Sequence, residues 1–321
     1  MIKPSLAVAV TLLAGLGNAH AQGYPTRPVM LVLGFAPGGP SDVMARIFGK
    51  KLEQVLGQPV VIENRPGAGG NVAAEAVARA TPDGHSMLLA NSGILAANAS
   101  LYKKINFDPV KDFAPITLVG AQANVLLVHP SLPARTLAEF IAYAKSNPGK
   151  VSYASGGHGT SPHLAGELLK AEAKINIVHV AYRGTGPALQ DVVAGHVPMN
   201  FSSVSPVIGH IQSGALRALG VTTLKRTALL PDVPTIAELA IPGYEATAWH
   251  AVVVTAGTPK AVIATLHRGM MTTLNDPDTR KALTSLGVDV VGNTPEELAG
   301  YIKSEIPKWA AIVKASGTTL D

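Results

Sequence analysis

Two stretches of this chain repeat one plan. The first reads VLGFAPGGPSDVMARIFGKKL and the second VSYASGGHGTSPHLAGELLKA. In each, a short apolar run ends in small residues, a glycine-rich loop follows, and an amphipathic helix starts at a proline. A strand feeding a helix in this way packs as a parallel α/β sheet with the helix laid back on it. Two such units far apart in one chain predict two similar α/β halves facing each other.

The rest of the pattern supports this reading. Val29 to Gly34 is a short apolar run of buried-strand length. After the loop, Val43, Met44, Ile47, Phe48, Leu52, Val55 and Leu56 recur at helical spacing, with Arg46, Lys50, Glu53 and Gln54 on the opposite face. Ser41 is the expected N-cap, and Gly57 followed by Pro59 ends the helix. A strand at Val60 to Glu63, a helix from about Asn71 to Arg79 and a strand at Ser86 to Ala90 follow. In the second half, Val151 to Ser155 is a strand. Its helix carries Leu164, Leu168 and Leu169 on one face, with Ser161 as expected N-cap and Pro162 first in the helix. Further strands are expected at Ile177 to Ala181, Val197 to Phe201 and Val252 to Thr255, with helices beginning at Pro187, Pro206 and after Pro259. The last helix opens at Thr294, where Glu297 closes a capping box.

The N-terminus places the chain outside the cytoplasm. Lys3, the short apolar stretch Leu6 to Gly17 and the small-x-small site Ala19-His20-Ala21 read as a secretory signal peptide over residues 1–21, cut before Gln22. That stretch is too short for a permanent membrane anchor. The chain has 321 residues and no cysteine, which leaves room for two domains and excludes thiolate metal sites and cysteine nucleophiles. The formal net charge of +5 is mildly basic and suits small anions. The basic residues are scattered and aromatic residues make up 5%, so nucleic acid is not an expected partner.

The first glycine loop has the outline of a nucleotide-binding loop, with Gly34, Gly39 and Ser41 at the right separations. Pro40 stands where such a loop needs the lysine that reaches the phosphates. An exported protein also lies outside the ATP and GTP pools. What remains is a glycine loop at a helix N-terminus, where free amides and the helix dipole favour an anion. A carboxylate fits this better than a triphosphate, and no cofactor is expected.

Five stretches go beyond a generic α/β pattern: YPTRPVMLVLGFAPGGPSDVMARIFGKKL, GQPVVIENRPGAGGNVAAEAVARATPDGHSMLLAN, HLAGELLKAEAKINIVHVAYRGTGPALQDVVAGHV, HIQSGALRALGVTT and LPDVPTIAELAIPGYEATAWH. Together, and in this order, they resemble the Bug family of periplasmic solute-binding proteins, receptors of tripartite tricarboxylate transporters. The resemblance covers essentially the whole mature chain. It implies an α/β, two-lobed periplasmic-binding-protein fold of type II, the Venus-flytrap arrangement. Residues 24–122 plus 246–321 would form lobe one and residues 123–245 lobe two. It also implies a monomer that binds a small-molecule carboxylate and delivers it to a membrane permease, or presents it to a sensor kinase. Carried over by motif, the first lobe would contribute Phe35, Ala36, Gly38, Gly39, Ser41, Asp42, Asn91 and Ser92. The second would contribute Gly156, Gly157, Thr160, Ser161, His163, Tyr182, Gly184, Phe201 and Ser202. Ser202 stands where many members carry an aspartate. A ligand ammonium would lack its partner there, so a mono- or dicarboxylate or an aromatic acid is expected rather than an amino acid.

Alternative readings of single residues remain. Ser161 and His163 lie two apart at a helix start and do not face each other, and no G-x-S-x-G is present, so a hydrolase is the weaker reading. His158 and His163 match no strong metal spacing. Arg183 is either a carboxylate clamp or a rim residue that steers anions, and Trp249 either walls the cleft or packs in the core. NRPGAGG reads as turn chemistry.

Overall fold

The computed structural model describes residues 23–320; the expected signal peptide lies outside them. In chain order the elements are β1 (Val29–Leu33), α1 (Pro40–Leu56), β2 (Val60–Asn64), α2 (Asn71–Ala78), β3 (Ser86–Asn91), α3 (Asn98–Leu101), β4 (Phe113–Gln122), β5 (Asn124–Val128), α4 (Leu137–Ser146), β6 (Val151–Ser155), α5 (Ser161–Ala173), β7 (Ile177–Ala181) and α6 (Thr185–Val193). They continue with β8 (Met199–Ser203), α7 (Ile208–Gln212), β9 (Arg217–Val221), α8 (Ile236–Leu239), β10 (Ala248–Thr255), α9 (Lys260–Asn275), α10 (Pro277–Ser285), β11 (Val288–Val290) and α11 (Pro295–Ser316). A π-helical turn, Gly93–Ala97, joins β3 to α3.

The strands form two sheets, ordered β11-β4-β10-β3-β1-β2 and β7-β6-β8-β5-β9. The strand–helix units read from sequence are parallel: β1 with β2 and β3, and β6 with β7 and β8. The sheets as wholes are mixed, because β10 runs antiparallel to β3 and β4, and β5 antiparallel to β8 and β9. The expected parallel strand–helix units are present, and antiparallel strands are added to each sheet. Strands that carry the chain from one sheet to the other enter their new sheet against its direction.

Alternation along each strand explains the layers. Val29, Leu31 and Leu33 pack with Met44, Phe48 and Leu52 of α1 and Leu266 and Met270 of α9. Val32 points to the other face, into a core that also holds Leu126 and Val128 of β5, Tyr153 of β6, Trp249 of β10 and Trp309 of α11. That second core is shared by both sheets, and α11 with α5 stitches it together. Val125 and Leu127 of β5 face a third cluster with Ala188 and Val192 of α6.

Helix starts follow their sequence signals to within two residues. The Thr294–Glu297 capping box forms as expected. Ser41 and Ser161 are not the caps. Gly39 and Thr160 take the extended conformation just before α1 and α5, which puts Ser41 and Ser161 inside the first turn. α6 begins at Thr185, two residues ahead of Pro187, and the helix expected at Pro206 is a 3-10 turn leading into the short α7.

The two halves meet across glycines. A Cβ on Gly93 would lie 2.0 Å from the carbonyl oxygen of Gly159, and one on Gly159 would lie 2.7 Å from Oδ1 of Asn98. Backbone therefore touches backbone where the π-helical turn of the first half faces the loop before α5. Gly93→Ala should overpack this seam at a cost of about 1–3 kcal/mol, relieved by separation of the halves. Small-angle scattering of the variant should show a larger radius of gyration with cooperative melting retained; an unchanged radius would show that the seam does not hold the halves together.

Candidate functional site

Between the sheets lies a cavity of about 650 Å³. Its first wall is Gly34–Ser41, Pro66–Gly70, Asn91, Ser92, Gln122 and Ala248–His250. Its second wall is Gly156–His158, Thr160–Pro162, Tyr182–Pro187 and Ser203. These are the carboxyl ends of β1, β2, β3, β6, β7 and β8, the position at which open α/β sheets bind ligands.

The structure brings Phe35, Ala36, Gly38, Gly39, Ser41, Asn91, Ser92, Gly156, Gly157, Thr160, Ser161, Tyr182 and Gly184 to this cavity. Asp42, His163, Phe201 and Ser202 are not on its lining, and each has a structural reason. Asp42 turns back on its own loop, accepting from the Gly38 amide at 3.0 Å and from Arg46 at 2.9 Å. Desolvation works against its carboxylate, but these hydrogen bonds outweigh it and hold the group below the usual range. His163 is fully buried, with Nδ1 accepting from the Gly159 amide at 3.2 Å. β8 runs on to Ser203, so Phe201 and Ser202 are internal strand residues paired with Leu126 and Val125. The residue of this strand that reaches the cavity is Ser203, whose Oγ accepts from Gln122 Nε2 at 3.2 Å.

Among the lining residues that sequence reasoning missed, two groups matter most for the chemistry. The loop Pro66–Gly70 lines the cavity, and its three glycines have positive φ. A Cβ on Gly34 would lie 2.6 Å from the Gly70 Cα, so this loop and the first glycine loop are in backbone contact. A glycine run at the end of a predicted strand was the available signal. His250 was the other omission, and no local motif marks it. Its Nε2 lies 2.9 Å from Ser41 Oγ in a buried contact, while its Nδ1 has no partner. Trp249 packs in the core at the edge of the cavity: its indole is fully buried and donates to Glu305 at 3.0 Å.

The glycine amides are less available than a simple cradle implies. Those of Gly38, Gly157, Gly159 and Gly184 are held by Asp42, Ser155, His163 and Gly156. At Gly38, Gly157 and Gly184 the site gains room rather than donors. Donors come from the first turns of α1, α5 and α6, whose amides have no intrahelical partner, and from side chains. Ser92 Oγ is buried with no hydrogen-bond partner. Tyr182 is already committed, its hydroxyl donating to Asp191 at 2.5 Å, and that bond pushes its pKa up to about 12. Arg183 is exposed on the rim. No Asp or Glu stands among the described lining residues; three helix N-termini and Arg183 face the cavity, and the Asp42 carboxylate lies behind the wall in the first turn of α1, paired with Arg46.

Burial pushes His250 down to about 4, so at neutral pH it is an uncharged imidazole. As the Nε2–H tautomer it donates to Ser41 Oγ and leaves the serine proton free to turn toward the cavity. The unfolded chain takes up this proton near pH 6.5, and the folded chain only near 4. Stability therefore holds above about 6.5 and falls as the pH drops through that window. The loss from His250 should reach roughly 3 kcal/mol at pH 4. Denaturant melts from pH 7 to 4 should show a shallower decline in His250→Asn than in the wild type. Identical slopes would mean that His250 is not held neutral.

Comparison with known proteins identifies the family and the fold. Residues 44–318 match the family described as "Tripartite tricarboxylate transporter family receptor". The chain is 40% identical over 291 residues to a UPF0065 protein from the tcbD-tcbE intergenic region of a Pseudomonas species, covering 90% of this chain and 86% of the relative. It is 37% identical to protein BugT of Bordetella pertussis, covering 98% of each. Among solved structures, it superposes on R. palustris Rpa4515 with adipate at a TM-score of 0.85 and 33% identity, covering 92% of this chain and 99% of that one. It superposes on MatC (Rpa3494) of Rhodopseudomonas palustris with bound malate at 0.84 and 34%, covering 90% and 100%. The periplasmic binding protein BugD is as similar, at 0.84 and 36%, covering 92% and 99%. The fold is the two-lobed α/β fold of periplasmic binding proteins, and the chain belongs to the tripartite tricarboxylate transporter receptor family.

Proposed function

We propose that this chain is a periplasmic receptor that closes two lobes around a small carboxylate without an amine and delivers it to the membrane permease of a tripartite tricarboxylate transporter. The observation that carries the proposal is the cavity wall: three helix N-termini and the hydroxyls of Ser41 and Ser92, with no acidic side chain among the described lining residues. The adipate and malate bound by two similar structures support the ligand class. The preference against amino acids rests on the whole wall, since Ser202 is not part of it. The lobes would divide as residues 24–122 plus 246–321 and residues 123–245, turning about the two chain crossings. No helix among the described residues is long and apolar enough to cross a membrane. A sensor kinase finds no support among these relatives.

One contact favours a second reading. Ser41 and His250, rather than Ser161 and His163, form a hydrogen-bonded serine–histidine pair at the cavity. As a hydrolytic dyad it is poor. The imidazole Nδ1 has no orienting carboxylate, and a pKa near 4 makes it a weak base. Incubation with small esters and acids should consume none of them.

A thermal-shift panel should show stabilisation by at least one of adipate, malate or benzoate and little by glutamate or aspartate, because a ligand that binds only the folded state stabilises it. Ser41→Ala should weaken the best acid about tenfold, roughly 1.4 kcal/mol. Gly38→Val should do so at least as strongly, since Gly38 has φ of 81° and stands on the cavity wall. A preference for glutamate or aspartate over every amine-free acid of similar size would sink the proposed ligand class. For export, N-terminal sequencing of periplasmic protein should begin at Gln22 or its cyclised form; a chain retaining Met1 would refute processing.

A further inference from the structure

Three histidines from three neighbouring segments, the loop before α5, α5 itself and β7, meet behind the second wall of the cavity. His158 is half-buried on the loop before α5, His163 lies in the first turn of α5, and His179 is in the middle of β7. Their ring centroids are 4.3 to 5.2 Å apart, and each ring offers a nitrogen within 4.8 Å of the other two. We propose that His158, His163 and His179 form a binding site for a single zinc ion, separate from the carboxylate site and adjoining it through His158.

The case rests on which nitrogens are spoken for. His179 Nε2 lies 2.6 Å from Ser155 Oγ, which also contacts the Gly157 carbonyl. That is the outer-shell bond that orients a ligating histidine, and it leaves Nδ1 for a metal. His163 is fully buried and its Nε2 has no hydrogen-bond partner; His158 Nδ1 is buried and unpartnered as well. Buried polar atoms left in this state are costly, and one dication would satisfy both. Burial holds all three rings below the ordinary histidine range and therefore uncharged at neutral pH, and on His163 the remaining proton has to move from Nε2 to Nδ1 before a metal can bind. The charges nearby are Glu167, fully buried, and Lys170, which donates to it at 3.0 Å and cancels it. Three neutral imidazoles with an open fourth position suit zinc, which has no d-electron geometry to enforce.

Tetrahedral zinc bonds of about 2.0–2.1 Å place ligand nitrogens about 3.4 Å apart, so the cluster has to contract. His158 is the residue that can move, because Gly157 and Gly159 flank it with φ of 123° and 71°. Contraction also has a consequence for His163. Its Nδ1 accepts from the Gly159 amide, so the neutral ring carries its proton on Nε2. A metal on Nε2 shifts that proton to Nδ1 and breaks the contact with Gly159, the residue seated against Gly93 across the seam. Zinc binding thus disturbs the surface on which the lobes close.

Calorimetry with zinc chloride on the chelator-stripped mature chain tests this without any organic ligand. The wild type should bind one equivalent. His158→Ala, a loop change that leaves both fixed rings in place, should weaken binding at least about tenfold, and Ser155→Ala, which removes the outer-shell bond, about 10–100-fold. The Gly159 amide resonance should shift with occupancy. Absence of saturable one-to-one binding, or an affinity that neither variant changes, would overturn the site; a failed carboxylate panel would leave it standing.

Discussion

The position of the cleft depends on Thr222. The chain passes from the first sheet to the second at Ala123 and returns between Val221 and Ala248. Thr222 ties these passages together. Its amide donates to the Asn124 carbonyl at 2.9 Å, its hydroxyl oxygen accepts from the Asn124 amide at 3.0 Å, and its carbonyl accepts from the Ala246 amide at 3.0 Å. It is wholly buried, so no water competes for these bonds. These bonds pin the two chain crossings side by side, next to the face at which the carboxyl ends of the strands meet.

On that face, the chemistry is divided between backbone and side chains. Glycine loops make room and spend several of their amides internally. Helix starts supply the field, and a few hydroxyls supply direction. Ser41 belongs to both groups, since it sits in the first turn of α1 and is held by His250 from a strand more than two hundred residues away. A carboxylate in such a place is stabilised by preorganised dipoles, and no buried countercharge has to be desolvated to meet it.

The sequence made the repeating units legible because strand, loop and helix each carry a local signal. β6 and β7 run over the expected residues, and α1 and α11 end or begin where glycine and the capping box mark them. The segment from Phe113 to Val128 gave no such reading. It is nearly continuous in apolar character, yet Ala123 divides it between two sheets, and periodicity carries no mark of that division. In the site, the loops were legible and side-chain direction was not. A two-residue extension of β8 replaced Ser202 with Ser203, and a helix start two residues early turned Asp42 away from the cavity. His250 became visible only through tertiary contact, because what makes it relevant is Ser41.

The chain contains two tryptophans, and both give their indole N–H to the same Glu305 carboxylate oxygen, at 3.0 Å each. Trp249 borders the cavity, whereas Trp309 lies in the shared core on α11. Both chromophores are therefore wired to one acceptor, with one at the wall of the cavity and the other away from it. Their emission is thus an optical gauge internal to the fold: both indoles report on the Glu305 carboxylate, Trp249 from beside the cavity and Trp309 from the shared core.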